Sequence, residues 1–165
     1  MNLKQLARAA REVHDLIDAY SSDSAKKREM VQDPLLFGFF SARFGDMSRQ
    51  RHIYIGRSKR PKRVDFRFGG ANTVLIEFAV RPPHGGAELY GTQNRDELNK
   101  LTRFPRSTAS LRVLLLFDFR RVGIAKDKLR ASFANVCTSP GRYARYPVQI
   151  LYVHHRGSYR FLWKP

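Results

Sequence analysis

The sequence predicts an α/β protein: a mixed β-sheet flanked by helices, in the order αβββαβ with a C-terminal αββ extension. Three observations carry this reading. An apolar stripe at helical spacing opens the chain, a hairpin pattern fills 63–80, and RVLLLFDF at 112–119 is apolar enough for a strand buried on both faces.

The elements follow in chain order. Leu3, Leu6, Ala7, Ala10, Val13, Leu16, Ile17 and Tyr20 recur at spacings of three and four, which predicts an amphipathic helix over 3–20. SSDSAKKRE at 21–29 is polar and reads as a loop. DPLLFGFFSARF at 33–44 predicts a short helix with Asp33 as N-cap and Pro34 at the first helical position. HIYI at 52–55 reads as a strand. RVDFRF at 63–68 alternates, with Val64, Phe66 and Phe68 on one face and Arg63, Asp65 and Arg67 on the other. GGAN at 69–72 is a hairpin signal, and TVLIEFAV at 73–80 reads as a central strand. A helix follows over 92–103 with Leu98 and Leu101 inward. Strand 112–119, helix 124–136 and strand 147–155 come next, and YRFLW at 159–163 pairs back through the HRGS turn. The 165 residues, 42% of them hydrophobic, fit one domain over 1–165, with no repeat or linker to split it.

Charge narrows the function. The formal net charge is +17, far beyond what solubility asks of a small domain, and it favours a polyanionic partner, nucleic acid above all. It is also uneven. From Lys100 to Pro165 there are fourteen Lys and Arg against only Asp118 and Asp127, and between Arg49 and Arg67 eight against Asp65. No apolar run approaches the ~20 residues that span a bilayer, and the N-terminus is an amphipathic pattern rather than a signal peptide. The lone Cys137 excludes an intramolecular disulfide and a CxxC metal site. The expectation is a cytoplasmic protein.

Two acids stand in the most sheet-like segment. Asp65 and Glu77 meet in space if 63–68 and 73–80 form a hairpin, and Glu77 is the sole charge in an eight-residue apolar strand. A buried carboxylate needs a partner. One answer is a hard divalent cation, Mg²⁺ or Mn²⁺, held against a basic groove for phosphodiester hydrolysis. The other is a salt bridge to Arg63, Arg67 or Arg81 and no chemistry.

This order of elements, with Asp65 on the second strand and Glu77 on the third, resembles the PD-(D/E)xK nuclease superfamily and its restriction-endonuclease-like core, over roughly residues 1–119. The resemblance implies a Mg²⁺-dependent nuclease with Asp65, Glu77 and the main-chain carbonyl of Phe78 on the metal. It would place a lysine at 79, where this chain has Ala79. In related enzymes that lysine migrates, and the candidates here are Lys100 on the following helix and Arg81 on the same strand face. Lys100 is preferred, since a desolvated lysine sheds its proton and an arginine hardly does. Gln93, Glu97 and Lys100 form one polar stripe on the helix, and Glu12 is a candidate third acid from the first helix.

Arg57, Lys59, Arg60, Lys62 and Arg63 flank the first hairpin, and Arg142, Tyr143 and Arg145 form a second basic cluster in a Pro- and Gly-flanked stretch. Tyr159, Arg160 and Trp163 form a third. Basic residues interleaved with aromatics suit single-stranded or distorted nucleic acid. The expected partners are nucleic acid, DNA ahead of RNA, and a second copy or a partner protein. Two other readings stay open: a catalytically inactive nuclease-like subunit that only binds nucleic acid, and a basic structural protein of a ribonucleoprotein or mobile element.

Overall fold

In the computed structural model, residues 1–20, 29–53, 62–69, 73–84, 88–104, 106–134, 136 and 146–165 are described. Their elements are α1 (Leu3–Tyr20), α2 (Glu29–Phe44), β1 (Met47–Ile53), β2 (Lys62–Phe68), β3 (Val74–Arg81), α3 (Arg95–Thr102), β4 (Leu111–Asp118), α4 (Lys126–Ala134), β5 (Val148–His154) and β6 (Gly157–Trp163). The six strands form one mixed sheet in the order β1-β2-β3-β4-β5-β6. The β3–β4 and β4–β5 pairs are parallel and the other three antiparallel. Parallel neighbours need crossovers, and α3 and α4 supply them.

The sheet separates two apolar layers, and strand alternation sorts the side chains between them. Val74, Ile76, Phe78 and Val80 of β3 join Val113, Leu115 and Phe117 of β4 under α1 and α2. On the other face, Leu75, Leu114, Leu116 and Tyr152 pack against Leu98 and Leu101 of α3 and Leu129 and Phe133 of α4. Full burial of a Phe or Leu side chain contributes about 1.5–3 kcal/mol, so these layers carry the fold.

Two elements depart from expectation. The second helix begins at Glu29, so Pro34 lies inside it rather than at its start. Gln32, Leu36 and Phe40 are fully buried at spacings of four, and that packed stripe extends the helix past a residue lacking an N–H. Asp33 pairs with Arg49 at 3.4 Å instead of capping. The first strand runs over Met47–Ile53, five residues ahead of HIYI. Its register is set by backbone pairing at the sheet edge, from Met47↔Phe68 to Ile53↔Lys62, so the polar sequence MSRQR carries no apolar alternation. Tyr54 and Ile55 lie outside the described residues, as do the turn residues 70–72.

α1 is fastened to the far ends of the central strands. Buried His14 stacks on Phe119 with ring centroids 4.4 Å apart, and its Nε2–H donates to the Asp118 carbonyl at 2.9 Å. Burial holds its pKa below the usual 6.5, so the ring stays neutral there. Arg11 donates to the carbonyls of His154 (2.7 Å) and His155. Among the described residues no helix is long and apolar enough to cross a membrane.

Candidate metal centre and nucleic-acid interface

Backbone pairing of β2 with β3 runs from Phe68↔Val74 to Phe66↔Ile76. At the next position a side chain takes over: Asp65 Oδ2 accepts the N–H of Phe78 at 3.0 Å. Glu77 lies across from it. Alternation turns Glu77, with Leu75, away from the Phe66–Phe78 layer and toward α3. On β2 the alternation breaks where ladder pairing with β3 ends: Val64, expected on the face of Phe66 and Phe68, packs in the α3-side layer instead. From α3, Lys100 extends its ammonium to Glu77 Oε2 at 2.7 Å. Asp65, Glu77 and Lys100, three candidates chosen from sequence, therefore converge from β2, β3 and α3.

Glu77 is buried, 1% exposed. Its Oε2 faces Lys100, while Oε1 is buried and meets no protein donor. Burial, and then the Asp65 charge, push its pKa up from 4.5 to about 9 against the pull of Lys100. Burial and the neighbouring Asp65 charge therefore favour the protonated form of Glu77. Two adjacent carboxyls, one with a buried oxygen that no protein donor reaches, fit a hard divalent cation. Among the described residues no third His, Cys, Asp or Glu completes a larger metal cluster.

Glu12 is elsewhere. It pairs with Arg43 at 2.6 Å and Arg8 at 3.1 Å on the outer surface of α1, under the opposite face of the sheet. Arg81 lies four residues along β3 from Glu77, about 13 Å at the usual strand rise. It is engaged by Asp118 at 2.9 Å and Glu88 at 3.0 Å, not by Glu77. Gln93 sits in the turn before α3, off the helical stripe. Asp33 was read only as a cap, yet it lies within the field of Asp65. Partial burial raises its pKa, Arg49 lowers it and the Asp65 charge raises it. Helical periodicity carries no signal for that neighbour, since the rest of α2 and the strand β1 separate them.

Sequence also gave no sign of a polar network at the ends of the parallel strands. Asp118 Oδ2 accepts from Arg81 and from the Tyr152 hydroxyl (2.5 Å), which in turn accepts the N–H of Ile124 at 2.8 Å. Glu88 bridges Arg81 to Arg120 (2.8 Å). This network satisfies polar groups where β3 and β4 leave the sheet.

Of the basic clusters, Arg63 is exposed on β2 opposite His52. Lys62 lies on the same strand, while Arg57, Lys59, Arg60, Arg142, Tyr143 and Arg145 fall outside the described residues. The third cluster is largely core. Trp163 is buried and donates to the Phe133 carbonyl at 2.9 Å, and Tyr159 stacks on Tyr152 at 4.5 Å and donates to the Ile124 carbonyl. Only Arg160 of that group is exposed.

No family model matches the chain, and no curated protein matches it. Among solved structures, SfsA from Pyrococcus furiosus in complex with Ca²⁺ aligns at a TM-score of 0.35 and 9% identity, over 82% of this chain. The chain spans 63% of that protein's length.

Proposed function

We propose that this protein is a metal-dependent nuclease of the PD-(D/E)xK type, with its lysine supplied by α3 in place of Ala79. The convergence of Asp65, Glu77 and Lys100 on one buried spot carries the reading. Asp65 and Glu77 would hold a Mg²⁺ or Mn²⁺ ion, with the Phe78 main chain beside them. When bound, such an ion polarises a phosphodiester and lowers the pKa of a water.

The chain's own groups do the rest. Asp65 is fixed by the Phe78 N–H, so one carboxylate is oriented before any ligand arrives. Glu77, whose pKa burial and Asp65 raise, would have to lose its proton to serve as a metal ligand. The Lys100 ammonium stands beside Glu77, placed to stabilise negative charge developing on a phosphate. Burial beneath α3 strengthens each interaction by excluding water. The +17 charge draws the polyanion in.

A second reading, a nuclease-like module that binds nucleic acid without cutting it, is favoured by one observation: Lys100 already sits 2.7 Å from Glu77 as an ordinary salt bridge would. Cleavage of labelled single- and double-stranded DNA and RNA with Mg²⁺ or Mn²⁺ separates them. Metal-dependent cutting that Glu77→Gln abolishes, with binding in chelator intact, supports the nuclease. Tight binding with no cutting by the wild type supports the inactive module.

A further inference from the structure

Arg112, at the start of β4, is 4% exposed and has no acid beside it. Its Nε donates to the Phe104 carbonyl at 2.7 Å and its Nη2 to the Ala109 carbonyl at 3.0 Å. The guanidinium lies over the Tyr146 ring, 4.6 Å from its centroid. Among the described residues no carboxylate pairs with it, and the sequence after Lys100 has only Asp118 and Asp127 to offer. Burial lowers its pKa, with Tyr146 raising it and the like charge of Arg106 lowering it. A buried cation facing a second cation is costly unless an anion completes the group.

The surroundings say which anion. Arg106, Ser110, Arg112, Pro147, Gln149 and Leu162 line an open groove of about 430 Å³, within the usual range for small-molecule sites. Its lining combines two arginines and hydrogen-bonding Ser110 and Gln149 with apolar Pro147 and Leu162, the last 45% exposed. That pairing matches a nucleotide unit, phosphate toward the arginines and sugar or base on Pro147 and Leu162. The groove opens at the start of β4 and β5 and the end of β6, where Gln149 pairs with Leu162.

We propose that this groove is a phosphate-binding subsite for one nucleotide of a single-stranded nucleic acid, with Arg106 and Arg112 as the cationic contacts. It deepens the nucleic-acid reading above but does not depend on cleavage. Arg112 supports the α3–β4 loop, so exposed Arg106 and Leu162 are the residues to vary.

The test is anisotropy of a labelled single-stranded oligonucleotide, in chelator, across a salt series. For single strands log K falls by about 0.7 per phosphate contact per decade of salt, so losing one contact weakens binding about fivefold at 0.1 M. Arg106→Glu is expected to weaken binding at least that much and to reduce the salt slope by about that amount. Leu162→Glu should also weaken it, while Arg130→Glu, on the exposed face of α4, should have little effect. Wild-type affinity and slope in Arg106→Glu would overturn the proposal, as would an equal loss in Arg130→Glu, which would make the effect one of net charge. Glu77→Gln, measured alongside, keeps the two readings apart: lost cutting with unchanged binding concerns the acids alone.

Discussion

Replacing Glu77 with Gln should flatten the pH dependence of stability. In the fold Glu77 holds its proton up to about 9, whereas in the unfolded chain it releases it near 4.5. Between those values the folded state binds more protons than the unfolded, so stability falls as pH rises through the window. The slope is at most on the order of 1 kcal/mol per pH unit for one group. From pH 7 to 9 the wild type should lose on the order of 2 kcal/mol that Glu77→Gln keeps. For a chain of this size each kcal/mol moves the melting temperature by about 2–4 °C. The amide preserves shape and can still donate to Asp65, so no cavity confuses the comparison. The assay is thermal unfolding of both proteins in chelator at pH 5, 7 and 9. The difference should grow in favour of the variant toward pH 9 and shrink at pH 5. Parallel curves would refute the reasoning, because they would mean that Lys100 keeps Glu77 ionised.

Other perturbations test the remaining geometry. Binding of Mg²⁺ or Mn²⁺ to the acid pair should release about one proton at pH 7 and tighten as pH rises toward 9, read by calorimetry in two buffers of different ionisation enthalpy. Lys100→Met should cut cleavage by about 10²–10³-fold, the usual cost of removing one charge-stabilising donor, with oligonucleotide affinity in chelator little changed. Tyr152→Phe leaves the Ile124 N–H without its acceptor and removes one of the donors to Asp118; urea unfolding should show a loss of about 1–3 kcal/mol. Gly91→Ala drives a Cβ to 2.6 Å from the Ser132 carbonyl oxygen and 2.8 Å from the Phe133 Cα, and the same assay should show about 1–3 kcal/mol of destabilisation.

Local pattern determined much of this protein. The stripe on α1 and the apolar runs of β3 and β4 depend on spacings of 3.6 and 2, which a sequence displays directly, whereas in β2 Val64 left the face of Phe66 and Phe68 for the opposite layer. Those patterns also placed Asp65 and Glu77 on one sheet face, because two strands joined by a short turn leave little choice. Position 79, read alone, shows no lysine. Only the packing of α3 over the sheet brings Lys100 to Glu77, 23 residues on. Tertiary structure also decided that Glu12 pairs with Arg8 and Arg43, that Arg81 serves Asp118 and Glu88, and that Trp163 is core with Tyr159 packed against it. The edge strand β1 was misplaced because backbone pairing defines it. The Arg112 groove was invisible because an unpaired buried charge is a property of what surrounds it in space. Periodicity tells which face a residue occupies; only the assembled layers tell what it meets there.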